Sequence, residues 1–322
     1  MIESPPELRT LVSDLSNAAW TLAAIGLVLE SELGALLVEP RTVDELATSC
    51  PTLPRRRIAA VLDVAETRGV VVADGGRYQL AKGVVPIVCG PLRAAIGADI
   101  RCQLIQPRAM LDGAPSGWHH TDPAVLQSQG DASAVMPLMV KTQIAPQLAD
   151  LAARLERPGA TLLDVGTGVG SLAIAACRTY PQLRVVGIDA ANAPLELARA
   201  NVARAGLGER IELRELAIQD LRDDAKFTLA WLPAFFIAED LLPTAIARVA
   251  AAVEPGGWII VGSNGHGDAK QRAMWNLTME SWGGPMLAPG ALGTLLRDAG
   301  LHDVRTLPGP PFATTMVAGR RG

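Results

Sequence analysis

The sequence predicts an α/β fold, with a mostly parallel sheet in its second half and a mainly helical first half. Three observations carry this. Thr161 to Asn192 reads as strand, glycine turn, helix, strand. Further short apolar runs follow at 210–215, 227–232 and 258–261, separated by helical patterns, as buried parallel strands with crossovers require. The first part of the chain instead spaces its apolar residues by three and four, broken by a single hairpin signal.

Composition bounds the possibilities. A length of 322 residues suggests two domains, and 49% apolar residues are ample for a sizeable core. The net charge of −4 offers nucleic acid no global basic field. Cys50, Cys89, Cys102 and Cys177 are scattered without C-x-x-C spacing, so neither a metal site nor a disulfide framework is expected, which fits a reducing cytoplasm. The opening MIESPPELRT has no basic stretch leading into an apolar core and does not read as a signal peptide. The longest apolar run, Ala18 to Leu29, is flanked by Asn17, Glu30 and Glu32 and is too short to span a bilayer, so no membrane role is expected.

In chain order, Pro5 to Leu37 reads as one helix, with Leu8, Leu11, Val12, Leu15, Ala19, Leu22, Ala23 and Ile25 on a stripe that Trp20 and Leu27 widen. A face that broad wants a partner, either the rest of the domain or a second chain. Thr42-Val-Asp-Glu45 is a capping-box start for a helix to Ser49, and Leu53 to Arg68 gives a second helix. Val70 to Ala73 and Arg77 to Leu80, joined through Asp74-Gly75-Gly76, form a hairpin. Two helices and a two-stranded wing make a winged helix-turn-helix. Arg55, Arg56 and Arg57, at the start of its second helix, would meet phosphates on a DNA-binding protein and are otherwise a solvated helix start. Further on, Asp131 caps a helix expected to run to about Glu156, with Met136, Met139 and Gln143 on one face.

The glycine turn chooses the ligand. Leu162 to Val165 is a short buried strand, Gly166-Thr-Gly168-Val-Gly170 turns the backbone sharply, and Ser171 opens a helix. Asp189 closes the next strand about twenty residues on, where such folds place the acid that takes two ribose hydroxyls. A nicotinamide or flavin turn would read G-x-G-x-x-G, with glycine at position 171 and a pyrophosphate on the helix N-terminus. Here the third glycine comes one residue early. Asp164, two residues before the first glycine, would repel a pyrophosphate and suits a cationic ligand.

That combination resembles the first motif of the class I S-adenosylmethionine (SAM) dependent methyltransferases. Together with the preceding winged helix, the chain resembles the small-molecule O-methyltransferases of plant caffeate type and bacterial natural-product type, over essentially its whole length. The resemblance implies a Rossmann-like SAM-binding domain with a mostly parallel seven-stranded sheet over 157–322. It implies linker helices roofing the active site over 111–156 and a winged-helix dimerisation domain over 1–110. It further implies SAM as cofactor, S-adenosylhomocysteine as its product, and no metal. Partners would be a small-molecule acceptor and a second copy of the chain, not nucleic acid. Asp164, Gly166, Gly168 and Gly170 would hold the amino-acid end of SAM and Asp189 its ribose. Asp220 would accept from the adenine amine, Leu221 would pack against that ring, and Trp231 belongs to the same cofactor set. Met136, Met139, Gln143, Phe235, Phe236, Asn264 and Trp275 would line an apolar, aromatic acceptor pocket.

One departure matters. The caffeate-type enzymes carry a His-Asp-Trp-type segment after the fourth strand of this sheet, whose histidine deprotonates the acceptor hydroxyl. Here that stretch is Pro233-Ala-Phe235-Phe236-Ile237-Ala238-Glu239-Asp240, and the usual base is missing. A phenol with a pKa near 10 gains from a positioned base, by ~100-fold or more. Three alternatives follow. The base is His266, His119 or His120; or the acceptor is acidic enough to arrive ionised; or methyl transfer has been lost and SAM serves other catalysis, as in a few relatives that cyclise, decarboxylate or hydroxylate. A winged-helix regulator sensing SAM or a metabolite is the competing class.

Overall fold

The computed structural model describes residues 4–113, 115–264, 267–307 and 315–322. Its contacts divide the chain into Met1–Arg108 and Ala109–Gly322, so residues 111–156 fold with the second unit.

In the first unit the single helix expected over 5–37 is two helices, Pro5–Glu30 and Glu32–Leu36. Ser31 makes the break. Its backbone is extended, its hydroxyl donates back to the Leu27 carbonyl at 2.6 Å, and its oxygen accepts from the Leu33 N–H at 3.3 Å. Helix Val43–Ser49 starts on the expected capping box, with Thr42 and Glu45 satisfying each other's backbone N–H groups. Helix Arg55–Thr67 follows, and strands β1 (Val71–Asp74) and β2 (Arg77–Leu80) pair antiparallel across Gly75 and Gly76, both at positive φ. Val28, Leu33, Leu46, Ile58, Leu62 and Leu80 form the core. Arg55 pairs with Asp44 at the surface. Along Pro5–Glu30 the C-terminal half enters the core, whereas Leu8, Leu11, Val12, Leu15 and Trp20 are exposed. At 26 residues, with a stretch of mean hydropathy 1.4, this helix is long and apolar enough by length and composition alone to cross a membrane, although the run Ala18–Leu29 within it is not. Core helices and signal sequences pass the same test, and Glu7, Arg9 and Asp14 lie within it.

The second unit is built on a seven-stranded sheet, as an α/β, Rossmann-like fold requires. Its strands are β3 (Thr161–Val165), β4 (Arg184–Asp189), β5 (Ile211–Glu215), β6 (Phe227–Pro233), β7 (Val253–Ser263), β8 (His302–Leu307) and β9 (Thr315–Arg320). Their order is β5-β4-β3-β6-β7-β9-β8; β3 to β7 run parallel, and β9 pairs antiparallel with both β7 and β8. Strand alternation sends Leu162, Leu229 and Ile260 to one face, under Leu172, Ala173 and Ala176 of helix Ser171–Thr179. Leu163, Ala230 and Ile259 face the other way, against helices Leu242–Ala252 and Pro289–Asp298. The strand order reverses between β3 and β6, and open α/β sheets hold ligands at the carboxyl ends of strands beside such a switch point.

The long helix expected from Asp131 to Glu156 is a correction. Helix Pro123–Ser133 begins earlier, capped by Asp122, whose carboxylate accepts from the Ala124 N–H at 2.8 Å; Asp131 lies near its end. Met136–Met139, a π turn at Val140–Ile144, a 3₁₀ turn at Ala145–Gln147 and helix Leu151–Glu156 follow as separate pieces. Pro137 and Pro146 remove backbone donors, and Asp150 stands at φ 60°, so a continuous hydrogen-bond ladder is not available.

Candidate cofactor and acceptor site

The turn between β3 and helix Ser171–Thr179 is bent by three left-handed glycines: Gly166 at φ 65°, Gly168 at 55° and Gly170 at 78°. Its fold is fixed by side chains that the sequence singled out. Asp164 is buried, and the Thr167 hydroxyl donates to it at 2.7 Å. Burial pushes the Asp164 carboxyl up to about 7; the Thr167 bond opposes this and the nearby Asp189 charge adds to it. Asp189 accepts from the Gly168 N–H through Oδ2 and from the Ala191 N–H through Oδ1, both at 2.9 Å. Its carboxyl is also raised by burial, against those two bonds. Gly187, the register partner of Asp164 on β4, leaves room for Thr167: a Cβ there would stand 2.6 Å from the threonine oxygen.

Sequence reading missed the polar network that docks helix Pro123–Ser133 on this turn. Asp131 Oδ1 accepts from Ser171 Oγ at 2.7 Å and from Gln127 Nε2 at 2.8 Å. Asn201 Nδ2 donates to both Gln127 Oε1 and the Val169 carbonyl at 3.0 Å. A side chain at Gly130 would collide with Val169, so the helix and turn touch closely. Ser171 in place of a glycine was the available signal.

On the far side of β4, Asp220 ends the 3₁₀ turn Ile218–Asp220 that follows β5, and is exposed. Leu221 does not stand beside it as a free ring-packing surface: it is buried in the core with Val165, Val186 and Phe227. The half-exposed apolar neighbour is Ile218.

The Asp164 face of the sheet continues through Trp231 on β6 and Ile260 on β7, which are successive register partners. Met136 and Trp231 line one apolar cavity with Leu172 and Tyr180, and Met139 packs on the same core. Gln143 is exposed within the π turn, and its carbonyl accepts from Gln147 Nε2.

Past β6, Ala234–Phe236 forms a 3₁₀ turn where the resembled enzymes have their histidine segment, and it seeds a cluster of rings. Phe235 and Phe236 lie 5.0 Å apart; Trp282 is 5.6 Å from the first and 5.0 Å from the second; Trp118 is 5.0 Å from Phe236 and 4.7 Å from His120. Gly284 permits this approach, since a Cβ there would strike the backbone of Ala234 and Phe235. Of helix Ala269–Trp282 it is therefore Trp282, rather than the expected Trp275, that joins the rings; Trp275 is half-buried elsewhere on the helix. His119 is exposed, with its Nε2 2.9 Å from the Ser116 carbonyl. His120 is half-buried, and burial lowers its pKa below the ordinary 6.5, opposed by Asp122 and reinforced by His119. His266 lies outside the described residues. Asn264 is buried directly after β7, and neither its Nδ2 nor its Oδ1 has a hydrogen-bond partner among the described residues. No group of three or more metal-ligating side chains occurs among the described residues.

Residues 162–257, from β3 into β7, match the family described as methyltransferase domain. Within the sheet unit this stretch is similar to a methyltransferase domain. Methyltransferases also appear among curated relatives: the chain is 31% identical over 114 residues to the release factor glutamine methyltransferase of Rhodopirellula baltica, covering 34% of this chain and 37% of that protein. The chain thus spans little more than a third of that relative. Solved methyltransferases share the fold over nearly the full length. Mitomycin 7-O-methyltransferase MmcR is 21% identical with a TM-score of 0.63, covering 98% of each chain. Human N-acetylserotonin methyltransferase, solved in complex with SAM, is 17% identical with a TM-score of 0.60 over 100% of each chain.

Proposed function

We propose that the chain is a SAM-dependent methyltransferase that methylates a small, largely apolar or aromatic acceptor at oxygen, in secondary metabolism, as a cytoplasmic homodimer. The observation that carries this is the pair of carboxylates, buried Asp164 and half-buried Asp189, bracketing a turn of three left-handed glycines. Negative charge at that bend suits a cation and repels a pyrophosphate. The turn is also open: a Cβ on Gly166 or Gly168 would meet nothing nearer than 3.8 Å, which leaves a cradle for a ligand against the backbone.

When bound, SAM supplies a methyl group on a positively charged sulfur. Asp164 and the glycines hold its amino-acid end, Asp189 its ribose and Asp220 its adenine amine, with Ile218 taking over the ring contact first assigned to Leu221. Phe235, Phe236, Trp282 and Met136 wall the acceptor and exclude water, so that alignment and desolvation favour transfer. His120, held neutral by its partial burial against Trp118, takes the acceptor proton. The first unit is read as a winged helix with β1 and β2 as its wing, and the exposed apolar face of Pro5–Glu30 as the contact with the second copy. Pairing of Arg55 with Asp44 supports this over DNA binding.

Isothermal titration calorimetry with SAM, followed by S-adenosylhomocysteine release on a panel of hydroxylated aromatic acceptors, tests the proposal. Heat with SAM and stoichiometric release with an acceptor are expected. Uptake of NADH or FAD in place of SAM would sink it, and product without S-adenosylhomocysteine would establish non-methylating catalysis.

A further inference from the structure

A buried carboxamide with both ends unbonded is costly in a folded protein, because each polar group has lost its water without gaining a partner. Asn264 is such a group: it is 1% exposed, and its Nδ2 and Oδ1 both lack partners among the described residues. Its place in the sheet says which way it serves. Asp164, Trp231 and Ile260 are register partners on one face, and Pro233 pairs with Gly262 two residues further along. Continuing that alternation puts Asn264 on the Asp164 face, two strands across from the cofactor turn and beyond the carboxyl end of β7. Its neighbour Ser263 points the other way, and its hydroxyl donates to the Leu287 carbonyl at 3.3 Å. The other side chains that the proposed function gives to the acceptor are apolar: the ring cluster of Phe235, Phe236 and Trp282 past β6, and Met136 packed with Leu172 of helix Ser171–Thr179.

Resting on the methyltransferase proposal, we infer that Asn264 is the polar anchor of the acceptor and selects planar molecules that carry a hydrogen-bond acceptor and donor side by side, such as an aromatic hydroxyl next to a carboxamide or lactam. Nδ2 donates to the carbonyl or to the ionising oxygen, and Oδ1 accepts from the adjacent N–H or O–H. One side chain thereby fixes both the in-plane rotation of the ring and the oxygen presented for methylation. The same pairing acidifies the acceptor: an ortho carbonyl shares charge with the departing phenolic proton's oxygen, which lessens the demand on a base in a site that has Phe235 and Phe236 where the resembled enzymes have histidine.

The probes are 3-hydroxy-2-naphthamide and 2-naphthol, which share a ring system and a hydroxyl and differ by the carboxamide. Binding of each to the full chain saturated with S-adenosylhomocysteine is read by tryptophan fluorescence, for the wild type and for Asn264→Leu, with thermal unfolding of both proteins alone. The naphthamide is expected to bind about 10- to 100-fold tighter than naphthol to the wild type. Asn264→Leu is expected to erase that preference, keep S-adenosylhomocysteine affinity and unfold at the same or a higher temperature, because an apolar group of similar size replaces an unmet amide. Equal binding of the two probes, no naphthamide binding, a preference that survives in Asn264→Leu, or a marked fall in its unfolding temperature overturns the inference. Failure of S-adenosylhomocysteine itself to bind overturns the cofactor assignment instead, so the two are separable.

Discussion

Thr167 donates its hydroxyl to Asp164 at 2.7 Å from within the glycine turn, which places a deeply buried carboxyl under the control of the loop proposed to hold the cofactor. The bond favours the ionised form; burial, the larger influence, favours the neutral one and leaves the group at about 7.

A pH dependence follows, with its sign set by that elevation. Between the ordinary carboxylate value of 3.8 and about 7 the folded protein binds a proton that the unfolded chain does not. Stability of the ligand-free protein from this group is therefore full below 3.8 and is lost as pH rises through about 7. Affinity for a cationic ligand runs the other way, because the ligand prefers the ionised carboxylate. Calorimetric titration with SAM should show affinity rising up to about pH 7 and levelling above it. Asp164→Asn should lower affinity by about 10- to 100-fold and remove this limb. Thr167→Val, which deletes the bond that opposes the elevation, should move the limb to higher pH.

Gly187→Ala should disable the same device from the neighbouring strand. Its Cβ would lie 2.6 Å from Thr167 Oγ1 and 2.9 Å from Thr167 Cβ, so the threonine is displaced from Asp164. Overpacking of this kind costs about 1–3 kcal/mol. Denaturant unfolding should register that loss, and SAM affinity should fall with it, whereas Gly208→Ala, where a Cβ meets nothing within 4 Å, should change neither.

His120 tests the proposed base. Its pKa lies below 6.5, so the imidazole is neutral and competent at pH 7. His120→Phe should preserve the edge-to-face ring contact with Trp118 and the affinity for SAM while lowering kcat by about 100-fold or more on a phenol. The deficit should shrink toward pH 10, where the phenol ionises unaided. A uniform deficit at every pH would assign His120 a purely structural part.

The exposed stripe on Pro5–Glu30 predicts an assembly phenotype. Leu15 and Trp20 are 61% and 75% exposed. Leu15→Glu combined with Trp20→Glu should halve the mass measured by light scattering if this face joins two copies. Loss of fold is not expected, because neither side chain belongs to the core of the first unit.

Most of the scaffold was legible because its signals are local. The capping box at Thr42, the hairpin at Gly75-Gly76, the three-glycine turn and the acid ending β4 each depend on residues within a few positions of one another, and each stands where the pattern placed it. What escaped depends on segments that meet only after folding. Leu221 looks free beside Asp220, yet it closes a core shared with Val165 and Phe227. Trp118, Phe236 and Trp282 come from three separate stretches, so their cluster has no spacing in sequence. The Asp131 carboxylate reads as a cap because Asp is a capping residue type, and only the position of Ser171 reveals its other use.

The subdivision of residues 123–156 bears on how such a protein diversifies. Pro137, Pro146 and the π turn at Val140–Ile144 interrupt the segment, so the stretch before them and the Leu148, Leu151 and Leu155 contacts with the sheet core are carried by separate pieces. Helix Pro123–Ser133 is nonetheless tied to the glycine turn through Asp131 and Ser171, so exchanging 123–139 for a sibling's segment should spare solubility and melting behaviour only where the graft keeps an acid at 131 and a glycine at 130.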